Sequence, residues 1–303
     1  MVLREGDYLD LIRMYNAADY MREYIWSFNL IYERQYNDKW KYLLPAMDEL
    51  GAAGESDKAY WEDTKIDFCF WKKQVNDIEK ALAMSDIVYI YDKLNFEIRW
   101  FIKCVLDVMF EKNFIDLQKW FWNENREAMK KRYPEVLEQI EKLDSKKNEQ
   151  YIRDYGLRGK VIYRKHNNLE YDLYSGYSPV EVGNRIMRET EFKRYNYIYV
   201  WGFNGGYEIA GGDFCFERTK KFEVYITDLF EFKQIIFNTM RKGILLDPNI
   251  NWIFNKGLRD FFNSINKLNR EETYIYVTEN CLEKELISIR KYVETNSINC
   301  NIG

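Results

Sequence analysis

Hydrophobic and polar residues alternate with a helical period through the first third of the chain. Apolar positions recur every three or four residues from Leu11 to Tyr32, from Phe68 to Leu82 and from Ile87 to Val108. This spacing gives each segment one apolar and one polar face, which is typical of amphipathic helices. A shorter helix is expected from Trp40 to Leu50. Because such helices bury their apolar stripes on one another, the pattern predicts an antiparallel helical bundle over residues 1–115.

Two polar residues are predicted to cap helices of this bundle. Ser56 lies at the end of the glycine-containing segment LGAAGES, and Asp86 lies directly before the third apolar stripe. Serine and aspartate side chains accept hydrogen bonds from the free N–H groups in the first turn of a helix. Each is therefore interpreted as an N-cap.

The pattern changes character after the bundle. A helix is predicted over residues 114–144, kinked or restarted at Pro134 because proline lacks an N–H group. The following segments, EQYIRDYG, KVIYRKHNN and LEYDLYS, are short, rich in β-forming residues and separated by glycine or asparagine. They predict a small β-meander within residues 116–194. Near the end of this part, Ser178 followed by Glu181 predicts a capping box and a helix start.

From Tyr195 onward, apolar strands alternate with helices. The predicted strands are YIYVW, FEVYIT, INWIFN and TYIYVT, and helices are expected near 207–212, 229–242, 257–269 and 281–295. Short apolar strands that alternate with helices are typical of a parallel sheet covered on both faces. The sequence therefore predicts a Rossmann-like doubly wound domain over residues 195–303, which together with residues 116–194 forms the second domain of a multi-domain α/β protein.

Composition excludes several classes of partner. The net charge is -4 and the pI is about 5.5, so the chain has no basic footprint for nucleic acid. Mean hydropathy is -0.55, and no apolar run approaches the length of a membrane span, so no membrane association is predicted. The N-terminus is charged and the five cysteines are scattered, which favours a reduced, cytoplasmic protein.

Few residues suit catalysis or metal binding. His166 is the single histidine, and it lies in a polar segment interpreted as a hairpin turn. Carboxylates such as Asp213, Glu217 and Asp247 are scattered along an acidic chain and are interpreted as solvated surface groups. No catalytic residue, metal site or cofactor is therefore predicted.

The segment YIYVWGFNGGYEI is the clearest candidate for a ligand site. A predicted strand runs directly into a glycine-rich turn, and in doubly wound sheets such a turn faces the ligand. The complete GxGxxG pattern is absent, so nucleotide binding and a purely structural turn both stay open. A methyltransferase-like site is a further alternative, although Val200 stands where such folds usually carry an acidic residue. The candidate ligand-binding residues are Gly202, Asn204, Gly205, Gly206, Tyr207 and Asp228.

The order of features over residues 118–300 resembles the N-terminal region of the motility-associated factor (Maf) flagellin glycosyltransferases. Four stretches carry the resemblance: ENREAMKKRYPEVLEQIEKL with its RYPE-like turn, LYSGYSPVEVGNRIM, the glycine turn YIYVWGFNGGYEI, and FEVYITDLFEFKQIIF. Asn204, Glu208 and Tyr174 replace a glycine and two histidines of the family pattern, and Thr227-Asp228 replaces its Glu-Pro.

The resemblance implies an accessory role without catalysis by this chain alone. In the family this region is Rossmann-like and precedes a transferase domain marked by a GxGPSL turn, which is absent from these residues, so a shortened chain or a protein with only the front half is expected. Flagellin or another protein acceptor is the implied partner, and a nucleotide or nucleotide-sugar is a further candidate ligand. The alternatives are an S-adenosylmethionine-dependent methyltransferase-like enzyme and an interaction module with an empty Rossmann-like fold.

Overall fold

The chain divides into two compact units, Met1–Phe114 and Ile115–Gly303. The predicted domain boundary, between residues 115 and 116, lies next to this division. The computed structural model describes residues 5–27, 40–56, 58–143, 152–154, 160–166, 169–172, 195–209, 220–278 and 281–302. The predicted capping box at Ser178 and Glu181 lies outside the described residues.

The first unit is all-helical over its described residues. Its elements are α1 (Glu5–Ser27), α2 (Trp40–Ser56), α3 (Lys58–Trp61), α4 (Phe68–Ala83), α5 (Ile87–Asp92), a π-helical turn (Lys93–Ile98) and the first part of α6 (Arg99–Arg132). Asn113, next to the boundary between the units, has non-helical backbone angles inside α6. The described parts of the three predicted apolar stripes therefore lie on helices, and residues 28–32 of the first stripe lie outside the described residues.

Aliphatic side chains form most of the interior of this unit, and a few aromatic side chains are packed among them. Trp71 of α4 is fully buried and stacks on Phe101 of α6, with ring centroids 4.7 Å apart. Its indole N–H donates to the carbonyl of Met47 on α2 at 2.8 Å, so its polar atom is satisfied inside the core. Gly54 lies against the ring of Phe68, where an added Cβ would come within 2.0 Å of a ring carbon. Close helix contact at this point requires glycine.

The two predicted caps have different outcomes. Asp86 caps α5 as expected, because its Oδ1 accepts from the backbone N–H of Tyr89 at 3.0 Å. The prediction for Ser56 was wrong. Helix α2 continues through the glycine-containing segment to Ser56, whose hydroxyl donates to the carbonyl of Ala53 at 2.8 Å. The N-cap of α4 is Asp67, which accepts from the N–H of Cys69.

The second unit begins with the rest of α6, the helix α7 (Pro134–Lys142) and a small antiparallel sheet. Proline stands at the first turn of α7, where its missing N–H has no helical partner to lose. The sheet has three consecutive strands, β1 (Ile152–Asp154), β2 (Lys160–His166) and β3 (Leu169–Asp172). These strands lie in the segments for which the sequence predicts a meander, and His166 of β2 pairs with Leu169 of β3.

A five-stranded parallel sheet forms the centre of the second unit. Its strands are β4 (Tyr197–Trp201), β5 (Lys221–Ile226), β6 (Ile250–Phe254), β7 (Thr273–Val277) and β8 (Asn299–Ile302). They lie in the order β6-β5-β4-β7-β8, and every pair is parallel. The chain therefore starts at β4, moves outward to β6 and crosses back to the other side of β4. The α/β class is confirmed, and β8 is a strand that the sequence analysis missed.

Helices cover both faces of this sheet. The remaining helices are α8 (Leu229–Asn238), α9 (Lys242–Leu246), α10 (Leu258–Ile265) and α11 (Glu283–Asn296). Ile198 and Val200 of β4 pack into one core with residues of α6, α7, α8 and α9. Tyr199 and Trp201 point to the opposite face and pack with residues of α10 and α11. Burial on both faces explains why the strands read as continuous apolar runs.

The break between α8 and α9 differs from the single helix predicted over residues 229–242. Asn125 of α6 is fully buried, and its amide N–H group donates to the carbonyls of Ile236 and Thr239 at 2.6 and 2.7 Å. Its Oδ1 accepts from the backbone N–H of Arg241 at 2.8 Å. Because this side chain satisfies the groups that a helix end leaves unpaired, α8 can end inside the protein.

The end of α6 is hydrogen-bonded to the segment around β6. The guanidinium of Arg132 donates to the carbonyls of Leu245, Asp247 and Ile250 at 2.7 to 2.9 Å. The next residue, Tyr133, accepts from the backbone N–H of Trp252 at 3.1 Å through its hydroxyl. Arg132, Tyr133 and Pro134, called the RYP segment below, thus connect α6 and α7 to the sheet. No helix in the described ranges is long and apolar enough to cross a membrane.

Candidate functional site

The glycine-rich turn lies at the carboxyl end of β4, the central strand of the parallel sheet. In open parallel sheets, ligands bind beyond the carboxyl ends of the strands, at the place where the strand order reverses. Here the order reverses between β4 and β7. The turn from Gly202 to Tyr207 therefore has the position in which a doubly wound fold holds a ligand.

The three glycines of the turn have backbone conformations that favour glycine. Gly202, Gly205 and Gly206 have φ angles of 100°, 90° and 70°. An added Cβ would come within 2.7 Å of the Tyr207 ring at Gly205 and within 2.5 Å of the Phe203 ring at Gly206. Gly205 and Gly206 consequently serve the packing of the protein's own aromatic rings. Asn204 begins the short 3-10 turn that contains Gly205 and Gly206.

Two N–H groups of the turn bond within the protein. The N–H of Gly202 donates to the carbonyl of Tyr225 at 3.0 Å, and the N–H of Gly206 donates to the carbonyl of Phe203 at 2.7 Å. A glycine turn binds phosphate through N–H groups that point at the ligand. Gly202 and Gly206 are thus used for the fold in this conformation.

Aromatic side chains pack closely beneath the turn. The Phe203 ring is buried and lies 4.9 Å from the ring of Phe232 and 5.3 Å from that of Trp252, measured between centroids. Tyr207 is also buried. The described part of the turn is therefore filled by side chains that anchor it to α8 and β6.

Arg241 is a residue of this site that the sequence analysis missed. It follows the break between α8 and α9, and its Nε donates to the carbonyl of Gly205 at 2.9 Å. Its Nη1 donates to the carbonyl of Met240 at 2.9 Å, and its guanidinium carbon lies 4.5 Å from the centroid of the Tyr207 ring. No feature of the local sequence TMRKG signals this role, because it depends on the distant residue Asn125.

Glu208, which replaces a histidine of the Maf pattern, is buried directly after the turn. Its side chain is 1% exposed, and Oε1 accepts from the hydroxyl of Tyr276 on β7 at 3.1 Å. The neighbouring strand ends are joined again at Thr278, whose N–H and hydroxyl both donate to the carbonyl of Trp201, at 3.0 and 3.1 Å. These bonds hold β4 and β7 together where the strand order reverses.

Asp228 acts as the N-cap of α8. Its Oδ1 accepts from the backbone N–H groups of Phe230 and Glu231 at 2.8 and 3.1 Å, and the residue is exposed. It lies just beyond the carboxyl end of β5, next to β4, so it is at the same edge of the sheet as the turn. Its predicted role as an acceptor for a ligand hydroxyl stays a prediction, because capping already explains an aspartate at this position.

Cys281 lies beyond β7 at this edge but has the properties of a protonated thiol. Burial and the neighbouring carboxylate of Glu285 raise the pKa of Cys281 to about 12. A nucleophilic cysteine needs a lowered pKa, because the thiolate is the reactive form. Among the described residues, no group of three or more histidine, cysteine or acidic side chains is arranged to hold a metal. Asp213 and Glu217 lie outside the described residues, and Asp247 is buried rather than solvated.

A half-buried carboxylate lies on the α10 side of the sheet. Burial raises the pKa of Glu223, and hydrogen bonds from the hydroxyls of Tyr199 and Tyr225 oppose this shift without cancelling it. The hydroxyl oxygens of Tyr225 and of Ser264 on α10 are also within hydrogen-bond distance, 2.9 Å apart. Since the folded state holds the Glu223 proton more tightly than the unfolded chain, its contribution to stability falls as pH rises from the ordinary carboxyl pKa through the raised one.

Comparison with known proteins gives no relative for this site. The scan against family models, the search of curated proteins and the search of solved structures each found no match.

Proposed function

We propose that this chain is a non-catalytic accessory module related to the N-terminal region of the Maf flagellin glycosyltransferases. In this proposal an antiparallel helical bundle precedes a Rossmann-like doubly wound domain, and the protein works in the cytoplasm. The strand order and the helices on both faces of the sheet support the Rossmann-like assignment. The RYP segment, the glycine turn and the β5–α8 segment, which are three of the four stretches that carry the resemblance, lie in one unit. The fourth stretch, residues 173–187, lies outside the described residues.

The filled glycine turn is the observation that carries the non-catalytic proposal. Its Gly206 N–H is bonded to the carbonyl of Phe203 and its Gly205 carbonyl to Arg241. Gly205 and Gly206 also lie against the rings of Tyr207 and Phe203. A transferase needs N–H donors, cations or a metal aimed at the leaving phosphate. A turn that uses these groups for its own packing suits a domain that binds or orients a protein such as flagellin for sugar transfer by a separate catalytic domain.

Binding to flagellin and transfer of sugar can be measured separately. We expect the purified chain to bind flagellin in biolayer interferometry and to leave its intact mass unchanged in the presence of a CMP-activated nonulosonic acid. A second secreted protein of similar charge serves as the binding control. Failure to bind flagellin above this control would contradict the accessory role. Stoichiometric sugar transfer that is lost on mutation of Asp228 or Asp247 would contradict the absence of catalysis.

A methyltransferase-like enzyme is the second candidate. The observation that favours it is the position of the turn beside Asp228, at the edge where the strand order reverses. Isothermal titration with S-adenosylmethionine tests it, with Asp228→Asn as the informative variant because asparagine preserves the N-cap and removes the charge. Micromolar binding that this variant abolishes would favour the enzyme. Absence of binding to S-adenosylmethionine and to flagellin would leave an interaction module with an empty Rossmann-like fold.

A further inference from the structure

Arg241 is a buried cation that has no anionic partner among the described residues. The residue is 8% exposed, and no carboxylate forms an ion pair with it in the part of the chain that the structure describes. Its hydrogen bonds go to the uncharged carbonyls of Gly205 and Met240, and the Tyr207 ring covers one face of the guanidinium. Charged side chains are almost never buried in this way unless an opposite charge accompanies them.

One nitrogen donor of this guanidinium makes no hydrogen bond to the described residues. Nη2 is buried and has no hydrogen-bond acceptor among the described residues. In a planar guanidinium, Nη2 lies on the same edge as Nε, and here Nε donates to the carbonyl of Gly205. One of the two Nη2 hydrogens is parallel to Nε–H and is therefore directed to the side of the glycine turn, whereas the other lies on the edge shared with Nη1. A water molecule could accept from them, but it would leave the positive charge uncompensated.

We propose that Arg241 binds the phosphate group of a small molecule beside the glycine turn. Arginine is suited to phosphate oxygens because its donors are fixed in a plane and its charge is permanent. The location also fits, since phosphates bind at this edge of doubly wound sheets. Glycine turns usually bind phosphate through their backbone N–H groups. Here the Arg241 side chain provides the donor instead, because the N–H groups of Gly202 and Gly206 are bonded within the protein.

Asn125 is the positioning residue of this site. It accepts from the backbone N–H of Arg241 and donates to the carbonyls of Ile236 and Thr239, which fixes the end of α8 from which Arg241 extends. The inference rests on Arg241 and its surroundings and not on the flagellin proposal. Flagellin binding and phosphate binding can each fail while the other succeeds.

Titration of the full chain with phosphate compounds tests the inference. Isothermal titration and thermal unfolding are measured with inorganic phosphate, pyrophosphate and adenosine monophosphate, at constant ionic strength set with chloride. We expect saturable binding with a rise in the unfolding temperature. Binding of all three compounds would identify free phosphate as sufficient, whereas tighter binding of adenosine monophosphate would identify a nucleotide ligand. Sodium acetate is titrated in the same way to test whether a carboxylate binds as phosphate does.

Variants of Arg241 separate a phosphate site from a purely structural arginine. Arg241→Gln is expected to weaken binding about 10- to 100-fold, the usual effect of losing one charge-assisted hydrogen bond. Arg241→Lys keeps the charge but loses the planar donors, and it replaces the glutamine variant in the titration if that variant does not fold. The exposed Arg259→Gln is the matched control and should bind like the wild type. The proposal is overturned if the wild type shows no saturable response to any phosphate compound, if acetate acts equally, or if the Arg241 variants bind as tightly.

Discussion

Replacing Asn125 by alanine removes the side chain that ends α8 inside the protein. Three hydrogen bonds are lost, with donor–acceptor distances of 2.6, 2.7 and 2.8 Å, and the asparagine is fully buried. The carbonyls of Ile236 and Thr239 and the N–H of Arg241 then have no partner at this point. A buried polar group left unpaired costs about 1–3 kcal/mol. Allowing for partial repair by backbone movement, we expect the free energy of unfolding to fall by about 3–6 kcal/mol.

Asn123→Ala provides the matched control on the same helix. Asn123 is exposed two residues away, so the substitution removes no buried hydrogen bond. Its effect should stay within about 0.5 kcal/mol, with a small gain because alanine has the higher helix propensity. Both variants replace an asparagine by alanine on the same helix. The difference between their free energies of unfolding therefore isolates the buried hydrogen bonds of Asn125.

Urea unfolding combined with hydrogen exchange measures this difference. Because the chain divides into two units, the exchange of peptides that cover residues 236–246 reports on the second unit separately from the first. In Asn125→Ala these peptides should exchange faster and lose protection at lower urea concentrations. Equal unfolding free energies for Asn123→Ala and Asn125→Ala, within about 0.5 kcal/mol, would refute the reasoning.

Three further predictions concern single side chains. In thermal unfolding, Gly206→Ala should lower stability by about 2–4 kcal/mol, because the residue has a positive φ and a Cβ would meet the Phe203 ring. Gly243 has open space around it, so Gly243→Ala should be neutral or slightly stabilising. Glu223→Gln should stabilise the protein at pH 7 to 8, and its advantage should vanish near the ordinary carboxyl pKa of about 4.3; a constant advantage from pH 4 to 8 would be evidence against the raised pKa. Arg132→Met should lower the free energy of unfolding in urea by about 3–5 kcal/mol, because three backbone carbonyls lose their donor. A similar decrease in Lys131→Met, at the exposed neighbouring residue, would show that the effect is not specific.

Elements with a strong local pattern could be predicted from the sequence. The apolar runs at β4, β5, β6 and β7 are strands, and Asp86 is the N-cap of α5 as expected. The strand β8 was missed because it is four residues long, near the limit at which alternation can be recognised. Ser56 failed as a cap because alanines around the glycines of LGAAGES let α2 continue to the end of that segment.

The candidate site depends on residues that are distant in sequence. The glycine turn was found because its pattern is local, but Arg241 was not, since its position depends on a hydrogen bond to Asn125, 116 residues earlier. Propensity alone favours a continuous helix through residues 229–242, and the buried amide of Asn125 overrides it. A single sequence contains no signal for such a pair, because neither residue belongs to a recognisable local pattern.

The contacts of Arg132 and Tyr133 with β6 have a consequence for self-association. β6 is an edge strand, and an edge strand offers unpaired backbone groups to which a strand of another molecule can add. The carbonyl of Ile250 and the N–H of Trp252 are instead taken by the guanidinium and the hydroxyl of this dipeptide. The RYP segment therefore occupies two of the backbone groups that strand addition at this edge would need. A fragment that begins after Tyr133 would expose the edge, and we expect it to aggregate where a fragment that retains both residues stays monodisperse in light scattering.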